Sequence, residues 1–420
     1  MHIWRSTEMF STTVRNLSFH LPESFSHELK IPAKDTTRSG NAFLIRGHVV
    51  GEGPPKVQLQ VAASNQPLRT WPVEVTECKG RWRYDLSAVV NLLGSTGKTL
   101  ISFQLIGENN WRTPVATIEL ERHSLEQAAE GLPGIYVVSL GRSGSTMMMS
   151  ALAAHPDVVA YERHPFETRV SQQYARIAKT LTEPADFFDP QLEAFAHSAK
   201  LASNAYLRPD GDIIDVMDKT LGTQNIAHCR RQVTSFYQEL ASRRKKTARA
   251  YAEKCIPHIA WLNLLRELYP GSKVVLLVRD FRDVYRSVLS FNDKRGFNAF
   301  GREAVAKDID YVDALARSAT ALMTVAKMED VVLAKYEDIA IRPADALTKL
   351  MQQLDLEGSE HNLELMTNAL AKDTPEVNRH RTAGSSETSV GRWQSEVTEE
   401  EGARFQELLT PALKFFDYQT

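Results

Sequence analysis

The sequence predicts an α/β domain built on a parallel sheet over residues 135–420, preceded by a β-rich, sandwich-like domain over 41–122. Two observations carry this division. In the earlier part, short runs alternate apolar and polar residues between turn-rich pieces, as strands do when one face covers a core. In the later part, compact apolar runs are each followed by a stretch with helical spacing, the pattern of buried parallel strands joined by crossover helices.

Residues 1–40 read as an N-terminal extension. The strands expected next are FLIRGHVV from Phe43, KVQLQVAA from Lys56, PVEVTE from Pro72, WRYDL from Trp82, TLISFQLIG from Thr99 and PVATIEL from Pro114. Trp71, Trp82, Tyr84 and Trp111 could offer apolar faces to a saccharide, but aromatic residues on short strands belong more often to a core, and that is the expectation. ERHSLEQAAE reads as a short helix in a linker over 123–134, stopped by Gly131, Pro133 and Gly134. Beyond it, IYVVSL and KVVLLVRD read as buried strands leading into helices that start near MMMSALAAH and DVYRSVLSF, and DVVLAKYEDI repeats the pattern.

A chain of 420 residues exceeds the size at which one core stops growing, and 43% apolar with 24% charged residues is ordinary for a globular protein. Fifty basic against fifty-two acidic residues leave a formal charge of −2, which argues against a broad nucleic-acid footprint but permits a local cationic pocket. Cys78, Cys229 and Cys255 are too few and too scattered for a disulfide framework or a zinc cluster, so no metal is expected and a reducing compartment fits. The first thirty residues lack the apolar core of a signal peptide, and no run reaches the ~18 apolar residues of a spanning helix. The expected location is therefore cytoplasmic. Peripheral membrane association and homo-oligomerisation are left open.

The sharpest local signal is IYVVSLGRSGSTMMMSALAAHP, a strand running through a Gly/Ser turn into a helix. Such a turn aims successive backbone N–H groups at one point beside the positive end of the helix, a cradle for phosphate or sulfate. Gly141 and Gly144 allow the tight path, Ser143, Ser145 and Thr146 add hydroxyls, and Arg142 adds a charge. The spacing and lysine of an ordinary nucleotide-triphosphatase loop are missing. A second signal, VVLLVRDFRDVYRSVLSF, puts Arg279 at the carboxyl end of a buried strand and Ser287 on the following helix, where open α/β sheets bind ligands. Arg282 and Arg286 are neighbouring cations. Read alone, RDFRD is a surface salt-bridge set around a helix N-terminus.

Together the two segments resemble the 5′-phosphosulfate loop and the 3′-phosphate motif of the sulfotransferase superfamily, enzymes that use 3′-phosphoadenosine 5′-phosphosulfate (PAPS). AEKCIPH, residues 252–258, resembles the EK-[ST]-P segment of carbohydrate-type members, with Cys255 and Ile256 departing from its usual form. SVGRWQSEVT, residues 389–398, resembles the C-terminal Gly-x-Trp cover. The resemblance spans about 134–420 and is silent on the N-terminal third. It implies a P-loop-like fold and PAPS as donor, with 3′-phosphoadenosine 5′-phosphate (PAP) as product. Arg142, Ser143, Gly144, Ser145 and Thr146 would hold the phosphosulfate, Arg279 and Ser287 the 3′-phosphate. Arg392 and Trp393 would belong to the cover, and Arg381 would reach the 3′-phosphate or remain a solvated loop cation.

The reaction needs a base near the attacking oxygen and cations on the leaving phosphate. HPDVVAYERHPFE should emerge at the same sheet edge, and resemblance to heparan-type enzymes gives Glu162 the base role, with His164 second. The bland alternative for Glu162 is an ion pair with Arg163 or Arg142; for His164, packing or substrate orientation. Lys254 would stabilise the bridging oxygen or orient Glu162. His155 reads as a helix-terminus residue. RRKKTARAYAEK, from Arg243 to Lys254, reads as a solvated helix face or as a guide for an anionic acceptor. The expected acceptor is a hydroxyl of a saccharide or glycolipid. The rivals are a nucleotide-dependent phosphotransferase and a non-catalytic glycan- or protein-binding protein with a degenerate domain.

Overall fold

A computed structural model describes residues 10–38, 40–63, 68–124, 131–182, 216, 218–244, 246–372 and 381–420. The chain divides into two compact units, one of Met1–Gly131, Val170–Val233 and Asn263–Pro270, the other of Leu132–Arg169, Thr234–Leu262 and Gly271–Thr420.

Among its described residues the first unit holds ten antiparallel strands: β1 (Phe10–Phe19), β2 (Ser26–Lys30), β3 (Thr37–Arg38), β4 (Ala42–Gly51), β5 (Val57–Ala63), β6 (Arg69–Pro72), β7 (Glu74–Cys78), β8 (Arg81–Asn91), β9 (Gly97–Gly107) and β10 (Arg112–Ser124). They form a six-stranded sheet, β3-β1-β10-β9-β5-β6, and a four-stranded sheet, β2-β4-β8-β7. Inward residues of both, among them Val14, Ile45, Val49, Leu59, Tyr84, Ile101, Phe103 and Ile118, share one apolar core, which makes the unit a β-sandwich. Trp71 and Tyr84 are buried in that core, and Trp82 and Trp111 pack against it.

Two stretches differ from the sequence expectation. Strands begin at Phe10, inside the stretch set apart as an extension, because Phe10, Thr12 and Val14 alternate inward and β1 pairs with β10. The helix expected from Glu121 is a strand as far as Ser124, since the period-2 burial of Ile118 and Leu120 continues to Arg122, whose guanidinium is buried among polar partners. The rest of that expected helix, 125–130, lies outside the described residues.

In the second unit, β11 (Gly134–Val138) leads to α1 (Ser145–Ala154) and β12 (Val158–Val159). Along the chain follow α2 (Val170–Thr182), which belongs to the first unit, α3 (Asn225–Arg243), β13 (Ala250–Cys255), α4 (Ile259–Leu268), β14 (Lys273–Val278) and α5 (Phe281–Arg295); the chain division falls within α3 and within α4. Then come α6 (Tyr311–Ala326), β15 (Val331–Lys335), α7 (Tyr336–Ile341), α8 (Pro343–Gln353) and α9 (Glu360–Ala371). Strands β11 to β15 form a wholly parallel sheet in the order β12-β13-β11-β14-β15. β11 and β14 are buried almost throughout, which explains why they read as unbroken apolar runs. The first strand stands between β13 and β14, so three neighbouring strands present their carboxyl ends side by side at the switch in strand order.

Candidate active site

Each of those three ends carries a cation. Arg142 follows β11, Lys254 stands abreast of Val137 one residue before the end of β13, and Arg279 follows β14. Arg142, Gly144, Ser145, Thr146, Glu162, Arg163, His164, Arg279, Ser287 and Arg381 all line one cavity of about 750 Å³. The two arginine segments that lie far apart in sequence thus meet: Arg279 Nη1 donates to Arg142 O at 3.0 Å, and Arg142 Nε donates to Ser287 Oγ at 3.3 Å.

The loop geometry follows from its residues. Arg142 adopts φ 68°, unusual for a side-chain-bearing residue, and Gly144 adopts φ 90° where α1 begins. The first N–H groups of α1 have no partner within the helix, and Gly144, Ser145 and Thr146 at its start line the cavity. Ser143 is buried beneath the loop, its N–H donating to Leu140 O at 3.3 Å, so it shapes the turn rather than lining the cavity. A Cβ on Gly144 would lie 2.4 Å from the Tyr336 ring. Gly144→Ala is therefore expected to cost about 1–3 kcal/mol of stability, measured by urea unfolding.

Electrostatically the site is short of negative charge. Arg142 is lowered to about 10, first by burial and then by repulsion from Arg279. Arg279 is only 4% exposed, and its Nε is buried with no hydrogen-bond partner. Its guanidinium lies over the Tyr336 ring at 4.5 Å, and Nη2 donates to Ser389 O at 2.6 Å. A phosphate is the ligand that such a cluster fits, with planar forks for its oxygens and an unused donor.

A strap over 381–396 borders the same cavity and is tied down by α5. Gly391 and Trp393 donate their N–H groups to Asp283 at 2.7 and 3.0 Å. Burial pushes the Asp283 carboxyl up, and these two N–H groups act against it. Arg392 binds Thr382 O, Ser290 Oγ and Glu396, while the Trp393 ring lies 3.6 Å below the Arg282 guanidinium. Arg392 and Trp393 thus fasten the strap; neither lines the cavity. Arg381 does, in the company of Thr382, whose Oγ1 is 3.2 Å from Ser287 Oγ.

Glu162 lines the same cavity. Its ion pairs are neither of those expected: Arg244 Nη1 is 3.0 Å away and Lys246 Nζ 3.9 Å. Helix α3 stops at Arg243, so the basic run is not one helical face, and Lys246 turns back to the carbonyls of Ala153, His155 and Val158. His155 is a helix-end residue, its Nε2 3.0 Å from Glu357 O. Lys254 stands behind Thr146, donating to Thr146 Oγ1 at 2.9 Å and to Glu167 Oε1 at 3.0 Å. The Cys255 thiol, buried, is pushed up to about 12, which removes it as a nucleophile. Among the described residues no group of three His, Cys, Asp or Glu is placed to hold a metal ion. No described helix is long and apolar enough to cross a membrane.

Sequence reasoning missed Tyr336, Asp283 and Glu167. Tyr336 had a signal, being the first residue after the apolar run of β15, at the same sheet edge. Asp283 and Glu167 had none, because only folding brings them to their partners.

A parallel sheet with cations at three adjacent strand ends is where open α/β folds take their ligands. The profile of the sulfotransferase family matches residues 133–360, more than half of the chain, and the chain belongs to that family. By that membership it is a sulfotransferase. Similar solved structures include the sulfotransferase domain of the Synechococcus PCC 7002 olefin synthase, 17% identical with a TM-score of 0.40, covering 69% of this chain and 96% of that one. The sulfotransferase domain from the curacin biosynthetic pathway is 18% identical with a TM-score of 0.38, covering 69% and 99%. Mouse sulfotransferase SULT7A1, solved with PAP, is 11% identical with a TM-score of 0.38, covering 70% and 93%. No curated protein matches the chain.

Proposed function

We propose that this enzyme transfers the sulfuryl group of PAPS to a hydroxyl of a saccharide or glycolipid, with Glu162 as general base. The observation that carries the donor half is the buried Arg142–Arg279 pair, two cations in one cavity with an unused Arg279 Nε donor. Arg279 and Ser287 hold the 3′-phosphate, with Arg381 alongside. Arg142, Ser145, Thr146 and the N–H groups at Gly144 hold the 5′-phosphosulfate, on a turn shaped by Ser143. Arg392 and Trp393 keep the strap in place.

Bound PAPS supplies the sulfuryl group: the acceptor oxygen bonds to sulfur as the bond from sulfur to the 5′-phosphate oxygen breaks, and the electron pair leaves on that phosphate. Glu162 takes the acceptor proton, and His164, which lines the same cavity, orients the acceptor. Arg142 meets the charge that builds on the leaving oxygen, with Lys254 acting from behind through the Thr146 hydroxyl. The acceptor class rests on the carbohydrate-type character of the RSGST and EK-x-x-P segments.

Calorimetry with PAP tests the donor half. Wild type is expected to bind it, and Arg279→Ala to weaken binding about ten- to a hundredfold, the worth of charge-assisted bonds to one phosphate. Failure of wild type to bind PAP, or equal binding by the variant, rejects the reading. Mass spectrometry of products after offering PAPS with glycans, glycolipids and phenols tests the acceptor half; sulfated phenols alone would reject it.

A further inference from the structure

Resting on the donor reading above, we propose that Glu167 is a positioning residue that holds the Lys254 ammonium against Thr146, at the 5′ end of the cavity. Lys254 belongs to β13 and is buried, and its Nζ is shared between Thr146 Oγ1 at 2.9 Å and Glu167 Oε1 at 3.0 Å. Thr146 lines the cavity, so the ammonium stands one hydroxyl away from it. The second oxygen of Glu167 accepts from Arg169 Nη2 at 2.6 Å, which fixes the carboxylate from the far side. A lysine side chain is long and loses much rotamer freedom when held in one place, and burial penalises its charge. Glu167 opposes both. Glu162 does not serve in this role, since its carboxylate is engaged with Arg244 and Lys246.

Among the charged groups acting on Lys254 are Glu167 and Arg169. Burial pulls the ammonium below the ordinary lysine range, Glu167 acts in the opposite direction, and Arg169 adds to the lowering. Removing the carboxylate therefore lets the ammonium lose its proton at lower pH, and the 5′ end of the cavity loses a cation at that pH. The 3′ end, around Arg279 and Ser287, is unaffected.

The measurement is calorimetric titration with two probes, PAP and adenosine 3′-monophosphate, which lacks the 5′-phosphate, between about pH 7 and 10. Wild type is expected to prefer PAP. In Glu167→Gln that preference falls about five- to tenfold near neutral pH and fades at lower pH than in wild type, while affinity for the monophosphate is kept; Glu167→Asp restores part of the preference. The retained monophosphate binding also reports that the variant is folded. An unchanged preference and pH profile in Glu167→Gln overturns the positioning role alone and leaves the donor reading intact. Equal loss of both nucleotides likewise overturns it, because that is what a purely structural residue would do. Absence of PAP binding by wild type removes both readings together.

Discussion

Glu162→Gln is expected to lower turnover about 10²–10⁴-fold, the usual worth of a positioned general base, while PAP affinity stays within about twofold. Glutamine keeps the shape of the side chain and can still accept hydrogen bonds from Arg244, but it cannot take a proton at the acceptor oxygen. The carboxylate lines the cavity that holds the two arginines, and Arg244 at 3.0 Å fixes its place on the wall. Steady-state rates with the acceptor found by product search, set beside calorimetry with PAP, separate chemistry from donor binding. His164→Asn is expected to act mainly on the acceptor KM, as an orienting residue would. Full turnover in the Glu162 variant would remove that residue from the mechanism and leave His164 as the base to test.

What could be read without coordinates was local. An anion loop is a strand, a turn and a helix start in one continuous stretch, and the rule that ligands gather at strand ends supplies the direction. Arg142 and Arg279 were therefore legible as separate grips, and the sheet order supplied their meeting, with β11 and β14 adjacent. The partners of Glu162 were not legible. Arg244 and Lys246 come from a basic run more than eighty residues away, and an expectation limited to neighbouring arginines named Arg163 and Arg142 instead. Asp283 is similar: an acid in the first turn of a helix reads as a dipole partner, yet its carboxylate is spent on two N–H groups of a strap about 110 residues later. In the β-rich unit, β1 escaped notice because Ser, Thr, Arg and Asn dilute its apolar alternation, although Phe10, Thr12 and Val14 carry the period.

The same dilution hid a buried polar cluster of the first unit. Arg122 and Glu267 form an ion pair at 3.1 Å with both side chains almost fully buried. The guanidinium also donates to Thr12 Oγ1, Gly40 O and Asn41 Oδ1 and lies 4.1 Å over the Phe10 ring, while the other oxygen of Glu267 accepts from Thr96 N and Oγ1. Nearly every donor and acceptor is satisfied, so the pair tolerates burial, but it has no tolerance for losing one member. Arg122→Met is expected to cost about 3–5 kcal/mol, because Glu267 is left charged in an apolar interior. Arg122→Met combined with Glu267→Leu is expected to cost less than the single change, since removing both charges also removes the desolvation penalty. Urea unfolding of the single and double variants measures the difference; a single variant that loses under about 1 kcal/mol, or a double variant no better than the single, would show that the pair's burial carries no such penalty.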